Sequence, residues 1–376
     1  MSVHESIAPG CEPACHGCRH RALAPAASVA QKAGYLARVL EEWSDRLQPV
    51  RMASPAQRYA YRDRVTLNAR WDTDRGWRFG LMRRDELIAI HRCPVHTPRV
   101  NRIVATLVET LPPFEVLPLA YLHVAGTQAT LIVKARTFAA HVFEPLLSRL
   151  PATGLDGLWV HCHPAAGRKL FARAGWHLLW GQPESIGPDG CVHGPTAFQQ
   201  LLPGLHRQTL DLATEFLAPG PAVAVLDLYC GIGSSLRRWV ECGSRTLGIE
   251  LAGGAVDAAL RNAPAAQVLR GTCLQRLPQV REWWEASAAP RVAYVNPPRS
   301  GLEGEVLRAL AWSLRPARVA YLSCSAGTLA RDLRGFAEAG YVVQTLTPFD
   351  FFPGTHHVEC LALLHLPADE PHRAVT

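Results

Sequence analysis

No stretch of the 376-residue chain approaches the ~18 uninterrupted apolar residues that a membrane-crossing helix needs. Residues 1–8 lack the basic start and apolar run of a secretory leader. A cytoplasmic protein is therefore expected. Low-complexity tracts and internal repeats are missing too, which argues against a disordered or solenoid chain. Charge is sparse, at 19% against 48% hydrophobic residues, the balance of a soluble globular protein. Acid is the scarcer sign: 32 Asp and Glu face 39 Lys and Arg, for a net charge of +7, and the cations are almost all arginine. Arginine pairs bidentately with phosphate, so a polyanionic partner fits, although a genome that prefers Arg codons would produce the same bias. Disulfides are not expected among the 11 cysteines, because a reducing compartment keeps thiols free.

What is present divides the chain into parts. Residues 1–49 read as a cysteine-rich segment followed by a helix over Ala26–Leu47, where apolar residues recur at three- and four-residue steps. From Tyr59 the period becomes two. Strands are expected near Val65–Trp71, Trp77–Met82, Glu86–Ile90, Leu119–Val124, Ala129–Lys134, Gly157–His161 and His177–Trp180, with helices at Val100–Leu111 and Phe138–Leu150. Residues 50–195 thus read as a mostly antiparallel α+β domain. A helix over Phe198–Leu217 leads into residues 196–376, where apolar runs beginning at Ala222–Leu228 alternate with helical segments. Continuous apolar strands between helices predict a doubly wound α/β sheet.

The first of these strands ends in Asp227-Leu228-Tyr229-Cys230-Gly231-Ile232-Gly233-Ser234, and the next ends at Glu250. Glycines let the backbone approach a ligand, the following helix start offers free amides, and an acid some 20 residues on can accept bonds from both ribose hydroxyls. The third glycine of a dinucleotide fingerprint is replaced by Leu236. A nucleoside-bearing cofactor without a pyrophosphate fits better, and S-adenosylmethionine is the candidate.

Two later strand ends, Asn296-Pro297-Pro298-Arg299-Ser300-Gly301 and Ser323-Cys324-Ser325, should open on the same carboxyl edge. Cys324 is a soft nucleophile there, and Glu359 at the start of the last strand supplies a carboxylate. Carbon 5 of uracil is too weak a nucleophile to attack a methyl sulfonium. A thiolate added at carbon 6 creates an enolate whose charge reaches carbon 5, and a base must then remove the carbon-5 hydrogen. Cys360 is a rival thiol, but in a strand it would point to the opposite face.

The order Asp227–Gly233, Glu250, Asn296–Gly301, Ser323-Cys324 and Pro353-Gly354-Thr355-His356-His357-Val358-Glu359 resembles the RNA uracil-5 methyltransferases. The resemblance covers most of the C-terminal half and implies a Rossmann-like methyltransferase domain over residues 196–376, preceded by the α+β domain as an RNA-recognition unit. It implies Cys324 as nucleophile and Glu359 as proton acceptor. It further implies Tyr229, Glu250, Asn296 and Gln200 as cofactor contacts, beside Asp227, Gly231, Gly233 and Ser234 of the glycine turn. The asparagine form of the Pro-Pro-Arg motif is most like the bacterial branch acting on large-subunit ribosomal RNA. Leu202 and Ser325 depart from the family pattern, and no acid lies between Arg261 and Arg281.

Cys11, Cys15 and Cys18 form a C-x3-C-x2-C run, and Cys93 is the best fourth ligand. The resembled family implies a [4Fe-4S] cluster on such a set; zinc on the same thiolates is the alternative. A monomer acting on RNA, ribosomal or transfer, is expected. Tyr59-Ala60-Tyr61-Arg62-Asp63-Arg64 mixes aromatics with arginine, as base stacking and phosphate contact require. Two competing functions share many of these features: an RNA cytosine-5 methyltransferase, which usually has a cysteine where Arg299 stands, and a catalytically silent RNA-binding or redox-sensing metalloprotein.

Overall fold

A computed structural model describes residues 5–287 and 290–367. The chain forms two compact units. One comprises the described residues up to Ser28, with Ala53–Leu202 and Phe352–His356; the other comprises Val29–Met52, Pro203–Phe351 and the described residues from His357 on. Residues 5–52 are thus divided between the two units instead of standing apart as a segment of their own. Among the described residues no helix is long and apolar enough to cross a membrane.

Helix α1 (Pro25–Val39) stops earlier than the apolar period suggests. The period continues through a 3-10 stretch, Glu41–Arg46, in which Trp43 leaves helical geometry. Spacing of three to four residues serves both helix types, so it cannot mark where one gives way to the other.

In the first unit, β1 (Arg64–Asp72), β2 (Gly76–Arg83), β3 (Glu86–Ala89), β4 (Leu119–Ala125), β5 (Gln128–Val133), β6 (Gly157–Cys162) and β7 (Trp176–Gly181) form one sheet in the order β3-β2-β1-β4-β5-β6-β7. All neighbours are antiparallel except β5 and β6. Val65, Leu67 and Ala69 point inward, as the alternation predicts, onto Val100, Ile103, Val104 and Leu107 of α2 (Pro98–Thr110). The helix expected at Phe138–Leu150 breaks into a 3-10 turn, the short α3 (Glu144–Leu147) and a second 3-10 turn. Pro145 has no amide to give a preceding carbonyl, so helix can only restart there. A two-strand ribbon follows, β8 (Ser185–Ile186) with β9 (Val192–His193).

The second unit resumes after residue 202 with α4 (Pro203–Leu217), five residues later than the sequence suggested, because Pro203 favours a first-turn position. Its sheet contains β10 (Ala224–Leu228), β11 (Arg245–Glu250), β12 (Gln267–Arg270), β13 (Arg291–Val295), β14 (Arg318–Ser323), β15 (Val342–Phe349) and β16 (Glu359–His365), in the order β12-β11-β10-β13-β14-β16-β15. The first five are parallel, and β16 is antiparallel to both its neighbours. The intervening helices are α5 (Ser234–Glu241), α6 (Gly253–Asn262), α7 (Cys273–Glu285), α8 (Gly304–Arg308) and α9 (Ala326–Glu338). Every residue of β10 is buried, as its apolar run predicts. The order reverses between β10 and β13, so the loops after β10, β13 and β14 open on one edge at the switch point, where such sheets bind ligands.

Candidate active site

The glycine loop after β10 is built on backbone geometry. Tyr229 (φ 62°), Gly231 (φ 56°) and Gly233 (φ 86°) all take the left-handed conformation. At Gly233 this is obligatory, since an added Cβ would also stand 2.9 Å from the Ala259 Cα on α6. At Gly231 an added Cβ would meet nothing within 4 Å, so that side of the loop is open to a ligand. Glu250, at the end of β11, accepts from the Gly231 amide through Oε2 (3.1 Å) and from the Ala252 amide through Oε1 (2.8 Å). The carboxylate is thereby fixed beside the loop with lone pairs left over for a diol. Ser234 opens α5, with Gly233 as its N-cap.

Two loop residues play parts the sequence did not reveal. Asp227 is fully buried and accepts from the Trp239 indole through Oδ2 (2.8 Å), so it ties α5 to the sheet instead of facing the open side of the loop. Burial pushes its carboxyl up to about 7, against the pull of hydrogen bonds from Ser235 and Trp239. The Tyr229 hydroxyl donates to Glu303 Oε2. Burial pushes the phenol's pKa above its ordinary range, and the neighbouring Cys273 and Glu303 push it the same way. Position 273, at the start of α7, lies in the stretch without acids, and burial drives its thiol to about 12.

The second half of the site lies where β13, β14 and β16 end or begin. Ser323 on β14 pairs with Cys360 on β16, so the next residues along each strand, Cys324 and Glu359, fall side by side. Glu359 is buried and Cys324 half-buried. Cys324 stands just before Ser325, the N-cap of α9, where unpaired amides favour a thiolate. Burial and the Glu359 carboxylate push its thiol above the ordinary range, while Arg299 and a backbone hydrogen bond pull it down. The rival Cys360 sits within the apolar core, its thiol driven by burial to about 12.

Asn296 leaves β13 with its amide on the Leu228 carbonyl (3.2 Å), which joins the Pro-Pro turn to the glycine loop. Beyond it, the chain is tied to α9. Thr328 Oγ1 donates to the Arg299 carbonyl (3.3 Å), and Arg331 Nη2 donates to the carbonyls of Ser300 (3.1 Å) and Leu302 (3.0 Å). The buried Asp332 accepts from the Leu302 amide (2.9 Å), the Tyr321 hydroxyl (2.7 Å) and Arg331. From sequence alone no part fell to Tyr321, Thr328, Arg331 or Asp332. Tyr321 lies on β14 just before Cys324, and the other three lie on α9, which follows it.

Asp227, Tyr229, Gly231, Gly233, Ser234, Glu250, Asn296, Cys324 and Glu359 all belong to the second unit, whereas Gln200 belongs to the first. Also in the first unit, Cys11, Cys15, Cys18 and Cys93 come near enough to act on one another: burial raises Cys18 to about 11, and the other three thiols push it the same way. The Gly17 amide donates to Cys15 Sγ (3.4 Å), and the Cys93 loop is pinned by Asn101. No group of three or more His, Cys, Asp or Glu among the described residues is placed to hold a metal ion. In the aromatic stretch, Tyr61 is buried with its hydroxyl on the Pro353 carbonyl (3.0 Å), so its ring packs the interior and is no stacking platform. Tyr59 is exposed, with Arg58 over its ring. Arg64 is drawn inward over the ring of Phe198.

Residues 195–366 match the model of the tRNA (uracil-5-)-methyltransferase family. An uncharacterized RNA methyltransferase of Oceanobacillus iheyensis is 33% identical over 197 residues, which are 50% of this chain and 42% of the relative. One of Thermosynechococcus vestitus is 27% identical over 298 residues, 74% of this chain and 65% of the relative. The chain thus spans less than half the length of the first of these relatives. Among solved structures, the Pyrococcus abyssi tRNA (uracil-54, C5)-methyltransferase in complex with S-adenosyl-L-homocysteine superimposes with a TM-score of 0.68 at 19% identity, over 94% of this chain and 86% of that one. That likeness establishes the fold. The match to the tRNA (uracil-5-)-methyltransferase family runs through residues 195–366, the part of the chain that carries the glycine loop, the Pro-Pro turn, Cys324 and Glu359.

Proposed function

We propose that the protein methylates carbon 5 of a uridine in RNA, with Cys324 as covalent nucleophile and Glu359 as proton acceptor. The observation that carries this reading is the pairing of Ser323 with Cys360, which sets Cys324 and Glu359 side by side on the edge shared with the glycine loop. Addition and elimination at one ring need a thiolate and a base on neighbouring positions. The open side of Gly231 and the anchored carboxylate of Glu250 suit S-adenosylmethionine, which when bound supplies an electrophilic methyl group.

The chain's own residues account for the remaining steps. Cys324 Sγ adds to carbon 6 of the uracil and the pair of the 5,6 double bond moves toward the carbonyl. Carbon 5 then takes the methyl group. Glu359 accepts the proton left on carbon 5, the double bond re-forms, and the carbon–sulfur bond breaks to release the thiolate. The target base must leave its stack to reach such an edge, so a uridine in a loop or bulge is the expected substrate.

Large-subunit ribosomal RNA is the proposed target, on the asparagine of the Asn296-Pro297-Pro298-Arg299 turn. A [4Fe-4S] cluster on Cys11, Cys15, Cys18 and Cys93 is proposed for the first unit, supported by the mutual repulsion of these thiols and the amide donated to Cys15. Anaerobically purified protein should carry iron and sulfide; zinc without iron would reject the cluster. The function itself is tested by supplying unmodified ribosomal and transfer RNA with labelled S-adenosylmethionine and analysing the nucleosides. Labelled 5-methyluridine is expected, and 5-methylcytidine or an unlabelled product pool would reject the reading.

A further inference from the structure

The Asn296–Leu302 turn carries Arg299, the only cation that acts to lower the Cys324 thiol in the described structure besides a backbone hydrogen bond. Arg299 is exposed, and its side chain has no ion pair among the described residues to hold it there. Its placement must come from its backbone. That backbone is tied at successive points to one rigid element, α9: Arg299 O to Thr328, Ser300 O and Leu302 O to Arg331, and Leu302 N to Asp332. The same helix begins two residues after Cys324, and Thr328 divides its single hydroxyl proton between the Arg299 carbonyl and the carbonyl of the N-cap, Ser325 (3.1 Å).

Gly301 completes the fastening. It takes φ 73°, and a Cβ there would stand 2.6 Å from both Arg331 Nη2 and Asp332 Oδ2. Asp332 has no exposed surface, and it is satisfied by one backbone amide, one phenol and a guanidinium, with Tyr321 coming from β14 itself. A buried carboxylate that gathers donors from a turn, a strand and its own helix fixes all of them relative to one another. Removing it leaves several donors unpaired at once.

We propose that Asp332, with Arg331 and Thr328, is a positioning residue: it locks the Pro297–Leu302 turn to α9, so that Arg299 is held beside Cys324 and stabilises the thiolate. This rests on the proposed role of Cys324 as nucleophile, but its test does not require methyl transfer. Asp332 never touches the substrate. It acts through the turn and through Arg299.

The experiment is a double-mutant cycle read on the thiol. The full-length protein and its Asp332→Asn, Arg299→Gln and combined variants are alkylated with iodoacetamide across a pH series, and labelling at Cys324 is followed by peptide mass spectrometry. Arg299→Gln should move the half-point of alkylation to higher pH, leaving roughly threefold to tenfold less thiolate at a fixed pH below it. Asp332→Asn should produce the same shift in the wild-type background and none when Arg299 is already Gln. Thr328→Val, a milder cut of the same fastening, should give a smaller shift in the same direction and carries the test if Asp332→Asn does not fold. A melting temperature that falls while the alkylation profile stays in place would show a structural role only and overturn the proposal. Equal shifts with and without Arg299 would overturn it as well. Normal alkylation shifts in a protein that never methylates uridine would leave the clamp standing and reject the functional reading instead.

Discussion

The loops after β10 and β14 open on the same edge of one sheet, yet they are fixed by different means. The glycine loop is held by its own backbone: left-handed residues at 229, 231 and 233, amides bound to Glu250, and a carboxylate at 227 turned inward to Trp239. The surroundings of Cys324, the proposed nucleophile, are held by side chains reaching across elements, from Tyr321, Thr328, Arg331 and Asp332. A cofactor that keeps the same nucleoside end before and after transfer needs a fixed shape there, which glycine geometry supplies. A nucleophile must change charge during its cycle, and surrounding charges set how readily it does so. Damage to the two loops should therefore separate cleanly, binding on one side and chemistry on the other.

The largest expected effect is on the chemical side. Cys324→Ala should lower methyl transfer on the order of 10⁴-fold or more, with S-adenosylhomocysteine affinity by calorimetry unchanged within about twofold. Next comes Glu359→Gln, for which turnover should fall on the order of 10²–10⁴-fold while a covalent RNA adduct accumulates on denaturing gels, because addition proceeds and proton removal does not. On the binding side, Gly233→Ala forces a side chain into φ 86° and against Ala259, at a cost of about 1–3 kcal/mol. Calorimetry should show roughly tenfold weaker cofactor binding, and alkylation of Cys324 should keep its pH profile. If Gly233→Ala shifted that profile, the two loops would not be independent.

The last effect concerns Asp227, bears on stability and not on turnover, and sharpens the same contrast. Its carboxyl is raised in the folded protein from 3.8 to about 7, so folding favours the protonated form. The associated stability is fully present below the unfolded value and is lost as pH rises through about 7. Asp227→Asn removes this dependence. Chemical denaturation should show the variant gaining on wild type between pH 4 and pH 7, by ~1–4 kcal/mol across the interval. Two stability curves that run parallel would mean that Asp227 stays ionised in its buried position.

The sequence revealed the architecture of both units because hydrophobic period maps directly onto exposure. Val65, Leu67 and Ala69 alternate, and Ala224–Leu228 is buried throughout. Helix limits were less legible at Val39, Pro145 and Pro203, where 3-10 turns and proline share the spacing of a helix. In the site, type and spacing were enough to name Gly231, Glu250, Cys324 and Glu359 as candidates, and the structure brings Gly231 to Glu250 and Cys324 beside Glu359. Residues defined by what they meet in space were not legible in this way. Asp227 looked like part of a ligand loop and turned inward; Tyr61 looked like a stacking surface and is buried. Asp332 gave no signal, since its donors come from residues 302, 321 and 331, and only folding gathers them.

The account stands on a sulfur–carbon bond between Cys324 and a uracil ring. The direct measurement uses RNA in which uridine is replaced by 5-fluorouridine, incubated with the protein and S-adenosylmethionine and digested for mass spectrometry. Fluorine at carbon 5 does not leave as a cation, so elimination stops and the account predicts a stable, methylated nucleotide attached to the peptide bearing Cys324. An adduct on another cysteine, or the same adduct from the Cys324→Ala protein, would contradict it.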